Sequence, residues 1–127
     1  MNEPIWLERE TLLLLHNSSI ARFGGAEGIR DQGLLESALA RPRNLFAYEK
    51  VDDLAELAAA YAFGLIRNHA CVDGYKRIAL LATGIFLDLN GLRLDAKTAD
   101  AISAVMALAE SSIGEKEFAA WIRENLR

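Results

Sequence analysis

The chain has 127 residues, of which 52% are hydrophobic and 25% charged, and a formal net charge of −4. That length and balance describe one globular domain with a real core and exclude a disordered chain. No broad basic face exists for direct nucleic-acid binding. A lone cysteine excludes an internal disulfide, and one cysteine with two histidines argues against a structural zinc site. The amino terminus lacks a signal-peptide pattern, and the longest apolar runs, about ten residues, are too short to span a bilayer. The expectation is a cytoplasmic protein with no membrane segment.

Ala and Leu dominate and helical spacing recurs, so the pattern predicts an all-α fold, one domain over residues 1–127. Residues 1–7 read as a loose lead-in. A first helix is expected from about Glu8 to Phe23, with Leu12, Leu15 and Ile20 inward and His16 as a structural histidine. Gly24-Gly25-Ala26-Glu27-Gly28 reads as a helix stop and turn. A phosphate loop is excluded because no Gly-Lys-Ser/Thr follows. Asp31 is placed to cap a second helix, with Leu34, Leu35, Ala38 and Leu39 on one face. Arg41-Pro42 is expected to end it, since the residue before proline is pushed from helical geometry.

Asn44–Val51 reads as a connecting segment that lays Leu45, Phe46 and Tyr48 over the core. Asp52 or Asp53 then caps a helix to about Asn68, carried by Leu54, Leu57, Ala58, Tyr61, Leu65 and Ile66. Ala58-Ala59-Ala60 lets a neighbouring helix approach. After a short loop, Ile78, Leu81, Ala82, Ile85, Phe86 and Leu89 mark a helix expected to be central and the most buried, closed by Asn90-Gly91. Leu92–Leu94 suits a short extended connector. Two more helices are expected, one from Asp95 or Thr98 to about Ala109 and one over 115–126, with Phe118, Trp121, Ile122 and Leu126 inward.

The chemistry concentrates in residues 69–77, His-Ala-Cys-Val-Asp-Gly-Tyr-Lys-Arg. They fall where a loop enters a helix, and the first N–H groups of a helix together with its dipole attract anions. Gly74 lets the backbone approach a phosphate, and Lys76 and Arg77 add full charges. Asp73 is a hard oxygen ligand suited to magnesium. His69, four residues earlier, is a candidate general base. Base, metal ligand and phosphate cradle in one stretch point to phosphoryl or nucleotidyl transfer. Cys71, two residues from His69, invites a nucleophile–base reading, but no third orienting group is evident and a small buried thiol is the simpler account.

The stretch resembles the motif of the Fic/Doc superfamily, in its Doc (death-on-curing) branch, roughly His-x-Phe-x-Asp-Gly/Ala-Asn-Lys-Arg. The likeness extends to Arg22-Phe23-Gly24-Gly25, to Gly33–Pro42 and to Phe86-Leu87-Asp88-Leu89-Asn90-Gly91, and so covers essentially the whole chain. Three motif positions depart: Ala70-Cys71 replaces Pro-Phe, and Tyr75 replaces the phosphate-contacting Asn with a bulkier side chain carrying a single distant hydroxyl.

The resemblance implies a compact helical bundle of about six helices with the post-motif helix at its centre. It implies a toxin of a toxin–antitoxin module that uses ATP and Mg2+ to phosphorylate a threonine of elongation factor Tu. His69 and Asp73 would be catalytic, with Asp73 also the metal ligand, and Gly74, Tyr75, Lys76 and Arg77 would meet phosphates. Lys76, where Fic enzymes carry glycine, goes in the family with phosphorylation in place of AMP transfer. A Phd-like antitoxin is the implied partner, folding an amphipathic segment into an apolar groove. In Doc-like and Fic-like proteins the region matching Asn44–Val51 helps position a target segment. Ser111 with Glu115 loosely matches an inhibitory signal of some Fic proteins, although Lys116 departs from it. Two alternatives stay open: a catalytically impaired, antitoxin-binding module caused by Tyr75, and a Fic-type AMP-transferase.

Overall fold

The computed structural model describes residues 2–25, 31–68 and 74–127. Six helices follow in order: α1 (Arg9–Phe23), α2 (Gln32–Glu49), α3 (Leu54–Asn68), α4 (Tyr75–Leu89), α5 (Thr98–Ala109) and α6 (Glu115–Glu124). No strand occurs among the described residues, and the expected all-α bundle is what forms. All six helices contribute buried side chains to one hydrophobic cluster.

The helix after the motif, α4, is buried on Ile78, Ala79, Ala82, Thr83, Phe86 and Leu87. The helix before it, α3, goes further, with ten buried residues against those six. It packs on α2, α4, α5 and α6. Its small residues make that possible: a Cβ on Gly64 would lie 3.2 Å from Ala38 Cα, so α2 and α3 meet backbone to backbone. Asp53 begins α3, its carboxylate accepting from the Ala55 N–H at 3.3 Å and its carbonyl from Leu57 at 3.0 Å. Asp31 caps α2 as expected, accepting from the Leu34 N–H at 3.0 Å.

The expectation that α4 is the most buried helix is corrected in favour of α3, and two further expectations are corrected. The stretch before α1 is not loose: Trp6 and Leu7 are buried. The Trp6 ring stacks on Phe86 at 6.0 Å and meets Phe46 edge-on at 5.7 Å. The Leu7 N–H donates to the Tyr61 hydroxyl at 3.0 Å, and Asn90 both accepts from the Ile5 N–H and donates to the Ile5 carbonyl. Aromatic burial of this kind, about 1.5–3 kcal/mol per side chain, outweighs the cost of ordering a few terminal residues.

The second correction concerns α2, which runs through Pro42 to Glu49, so Asn44–Glu49 is helix and not connector. Proline removes one helical hydrogen bond and crowds the preceding turn, a cost of about 3 kcal/mol. Pro42 is itself buried, and Leu45 and Phe46 beyond it pack on the core, which holds the helix together across the break. The helix ends at Lys50, in a left-handed conformation at φ 57°.

The remaining connections follow the sequence. Leu94 pairs antiparallel with Leu126, and Arg93 and Arg127 exchange backbone hydrogen bonds of 2.8 Å. This ties the α4–α5 connector to the carboxyl terminus.

Candidate functional site

α1 and α4 pack together, and the end of α1 lies at the start of α4. Ile20 Cδ1 would be 3.3 Å from a Cβ on Gly74. Leu12, His16, Ser19 and Ile20 form the buried stripe of α1, so His16 is a core histidine, as its position in the sequence suggested. The Ser19 hydroxyl oxygen is buried with no hydrogen-bond partner among the described residues.

Gly74 enters α4 in the left-handed conformation, φ 72°, which favours glycine. Its carbonyl accepts from the Ile78 N–H at 3.0 Å, the bond that closes the first turn. The N–H groups of that turn precede any intrahelical acceptor, and no acidic residue stands among them. A cavity of about 450 Å³ opens there, lined by Gly74, Tyr75, Lys76 and Arg77 on one side and Phe23, Gly24 and Gly25 on the other.

The two walls are joined. Arg77 Nη2 donates to the Gly24 carbonyl at 2.8 Å, and its guanidinium lies 5.6 Å from the Phe23 ring centre. Arg22 approaches the same ring at 5.4 Å. Lys76 lies over the Tyr75 ring at 5.7 Å. Among the described residues neither Lys76 nor Arg77 forms a salt bridge, and no carboxylate lines the cavity. Two cations in a half-buried setting, at the positive end of a helix and with no counter-charge among the described residues, suit a polyphosphate.

Tyr75 is half-buried, packs against the core and lines the cavity without closing it. His69 and Asp73, the expected base and metal ligand, lie outside the described residues, as do Ala70, Cys71 and Ala26–Gly28. Among the described residues no group of His, Cys, Asp and Glu is placed to hold a metal, and Asp73, the expected magnesium ligand, lies outside them.

A second cavity, about 260 Å³, lies between α2 and α3 beside the end of α3. Arg67 and Asn68 line it with Ser37, Arg41, Asn44 and Phe63. The two arginines flank Phe63 at 5.0 and 5.2 Å. Asn68 Nδ2 donates to the Leu34 carbonyl at 2.8 Å, and Arg67 donates to the Ser111 hydroxyl at 3.2 Å. Glu115 is held by Arg41 through both of its oxygens. Ser111 and Glu115 therefore serve contacts away from the walls of the Gly74–Arg77 cavity.

Phe23, Gly24 and Gly25 are the wall residues that sequence reading missed. The glycine pair was legible as a helix stop, and it is one: Gly24, at φ 87°, returns its N–H to the Ile20 carbonyl at 2.8 Å. Nothing local in the sequence shows that this stop faces the start of α4.

Fold and site together define an all-helical protein with a cation-lined cavity at the start of a buried helix. A family model described as the Fic/DOC family matches residues 6–87. The chain is 38% identical over 85 residues to "Protein kinase doc" of Escherichia phage P1, covering 67% of this chain and 68% of that protein. It is 45% identical over 92 residues to "Toxin Doc" of Mycolicibacterium smegmatis, covering 72% of this chain and 68% of that one. The chain belongs to the Fic/Doc family. No helix among the described residues is long and apolar enough to cross a membrane.

Proposed function

We propose that this protein is a Doc-like toxin that transfers the γ-phosphoryl group of ATP to a hydroxyl on a translation factor, elongation factor Tu, and acts in the cytoplasm as one half of a toxin–antitoxin pair. The observation that carries the reading is the cavity at the start of α4, where Lys76 and Arg77 stand beside Gly74 with no described carboxylate to neutralise them. The names of the two relatives, a protein kinase and a toxin, support it.

In this reading the target hydroxyl oxygen bonds to the γ-phosphorus as the bond to the β–γ bridging oxygen breaks. The products are a phosphorylated acceptor and ADP, and the hydroxyl proton passes to His69. Gly74 and the first-turn amides of α4 hold the phosphate oxygens, Lys76 and Arg77 offset the charge that builds on them, and Tyr75 borders the site. Asp73 would hold magnesium, which would neutralise phosphate charge, and would help orient His69. The protein contributes positioning and fixed charge more than covalent chemistry. The antitoxin, a Phd-like chain, is a proposed partner.

Tyr75 favours a second reading. With no amide at that position the chain would keep its antitoxin surface and transfer nothing. Incubation with labelled ATP and elongation factor Tu separates the cases. γ-Label on the factor is expected, α-label would make the protein an AMP-transferase, and no label would leave the binding module. Expression of His69→Ala is expected to abolish growth arrest; continued toxicity would remove His69 from the mechanism.

A further inference from the structure

Resting on the nucleotide-binding reading above, we propose that Phe23 is the platform on which the base of the nucleotide stacks, so that the end of α1 reads the base while the start of α4 holds the phosphates. The two structures line one cavity of about 450 Å³, within the usual size range of small-molecule sites. Phe23 is the last residue of α1 and is 62% exposed, which leaves a large apolar ring at a polar opening. Such a ring is costly to leave in water and is well suited to a planar partner.

The backbone that carries the ring is tied in place. Gly24 caps α1 immediately after it, and the Arg77–Gly24 hydrogen bond of 2.8 Å ties that cap to the phosphate-binding helix. Platform and cradle therefore keep one spacing, which a ligand with a base at one end and phosphates at the other requires.

Among the described residues the cation contacts of the Phe23 ring are the guanidiniums of Arg22 and Arg77, both planar groups. Arg77 is committed to the Gly24 carbonyl. Arg22 is exposed and forms no salt bridge among the described residues. A purine takes the place of Arg22 over the ring, and the displaced cation stays close enough to add to the field at the phosphates. Base stacking tolerates any base, so the platform adds affinity for the whole nucleotide and favours the larger purines.

The test compares full-length wild type with Phe23→Ala and Phe23→Trp, measuring Kd for Mg-ATP and for Mg-bound inorganic triphosphate. Wild type is expected to bind ATP more tightly than triphosphate. Phe23→Ala should weaken ATP by roughly 5- to 100-fold while leaving triphosphate within about twofold, and Phe23→Trp should hold ATP affinity or tighten it. Equal loss of both ligands in Phe23→Ala would make Phe23 a brace for Arg77 and overturn the proposal. Unchanged ATP affinity in Phe23→Ala would overturn it too while leaving the kinase reading standing. A wild type that binds neither ligand would sink both.

Discussion

Arg77 Nη2 donates to the carbonyl of Gly24 at 2.8 Å, so the second cation of the motif also holds the end of α1 against the start of α4. The same side chain is needed for charge and for shape. Arg77→Lys keeps the charge but loses the planar fork, which alone can reach a carbonyl while stacking on a ring. A charge-assisted hydrogen bond contributes about 1.5–3 kcal/mol. We predict that Arg77→Lys lowers the phosphoryl-transfer rate by about 10- to 100-fold. Full activity in a steady-state assay of the lysine variant would show that charge suffices there.

Gly64 of α3 lies against Ala38 of α2, with an added Cβ meeting Ala38 Cα at 3.2 Å, Cβ at 3.3 Å and the carbonyl oxygen at 3.4 Å. Alanine gains up to about 1 kcal/mol of helix propensity over glycine. Here the neighbour is backbone and cannot rotate away, and overpacking costs about 1–3 kcal/mol. Gly64→Ala is therefore expected to be destabilising on balance, by about 1–2 kcal/mol, in urea unfolding. A more stable variant would mean that α2 and α3 separate more easily than the contact implies.

Tyr61 is fully buried and accepts a hydrogen bond from the Leu7 N–H at 3.0 Å. Burial pushes its pKa up to about 12, against a smaller lowering by the Leu7 N–H. Because the folded value lies above the unfolded one, the neutral phenol's contribution is intact below pH about 10 and is lost as pH rises towards 12, an effect on the order of 2–3 kcal/mol. Tyr61→Phe should cost about 1–2 kcal/mol at neutral pH by orphaning the Leu7 N–H. It should also flatten the alkaline decline. Parallel stability–pH curves for the two proteins would rule Tyr61 out as its cause.

Tyr75 stands where the family motif has Asn, and its ring borders the cavity with Lys76 drawn over it at 5.7 Å. Tyr75→Asn restores an amide and releases Lys76 towards the phosphates. We expect ATP affinity or transfer rate to rise by about 3- to 10-fold, the worth of one modest hydrogen bond. Equal or weaker binding by calorimetry would show the tyrosine to be adapted to its position.

Much of this protein was legible in its sequence because helical periodicity is a local signal. The buried stripe of α3, the caps at Asp31 and Asp53 and the glycine stop at Gly24 are all settled by residues within a turn or two of one another, whereas Leu81 and Leu89, counted with the α4 stripe from their spacing, are exposed. Pro42 and Trp6 were misread for the opposite reason. Whether a proline breaks a helix, or a leading segment stays loose, depends on what distant residues offer in return, here the core around Leu45 and Phe46 and the rings of Phe46 and Phe86. The site divides the same way. The run Gly74–Arg77 stood out in the sequence by its order alone and lines the cavity, whereas Phe23, Gly24 and Gly25 joined it only through the packing of α1 on α4. The sequence by itself determined the helices and one wall of the cavity; tertiary structure decided the facing wall, because contacts between residues some fifty positions apart leave no periodic trace in the chain.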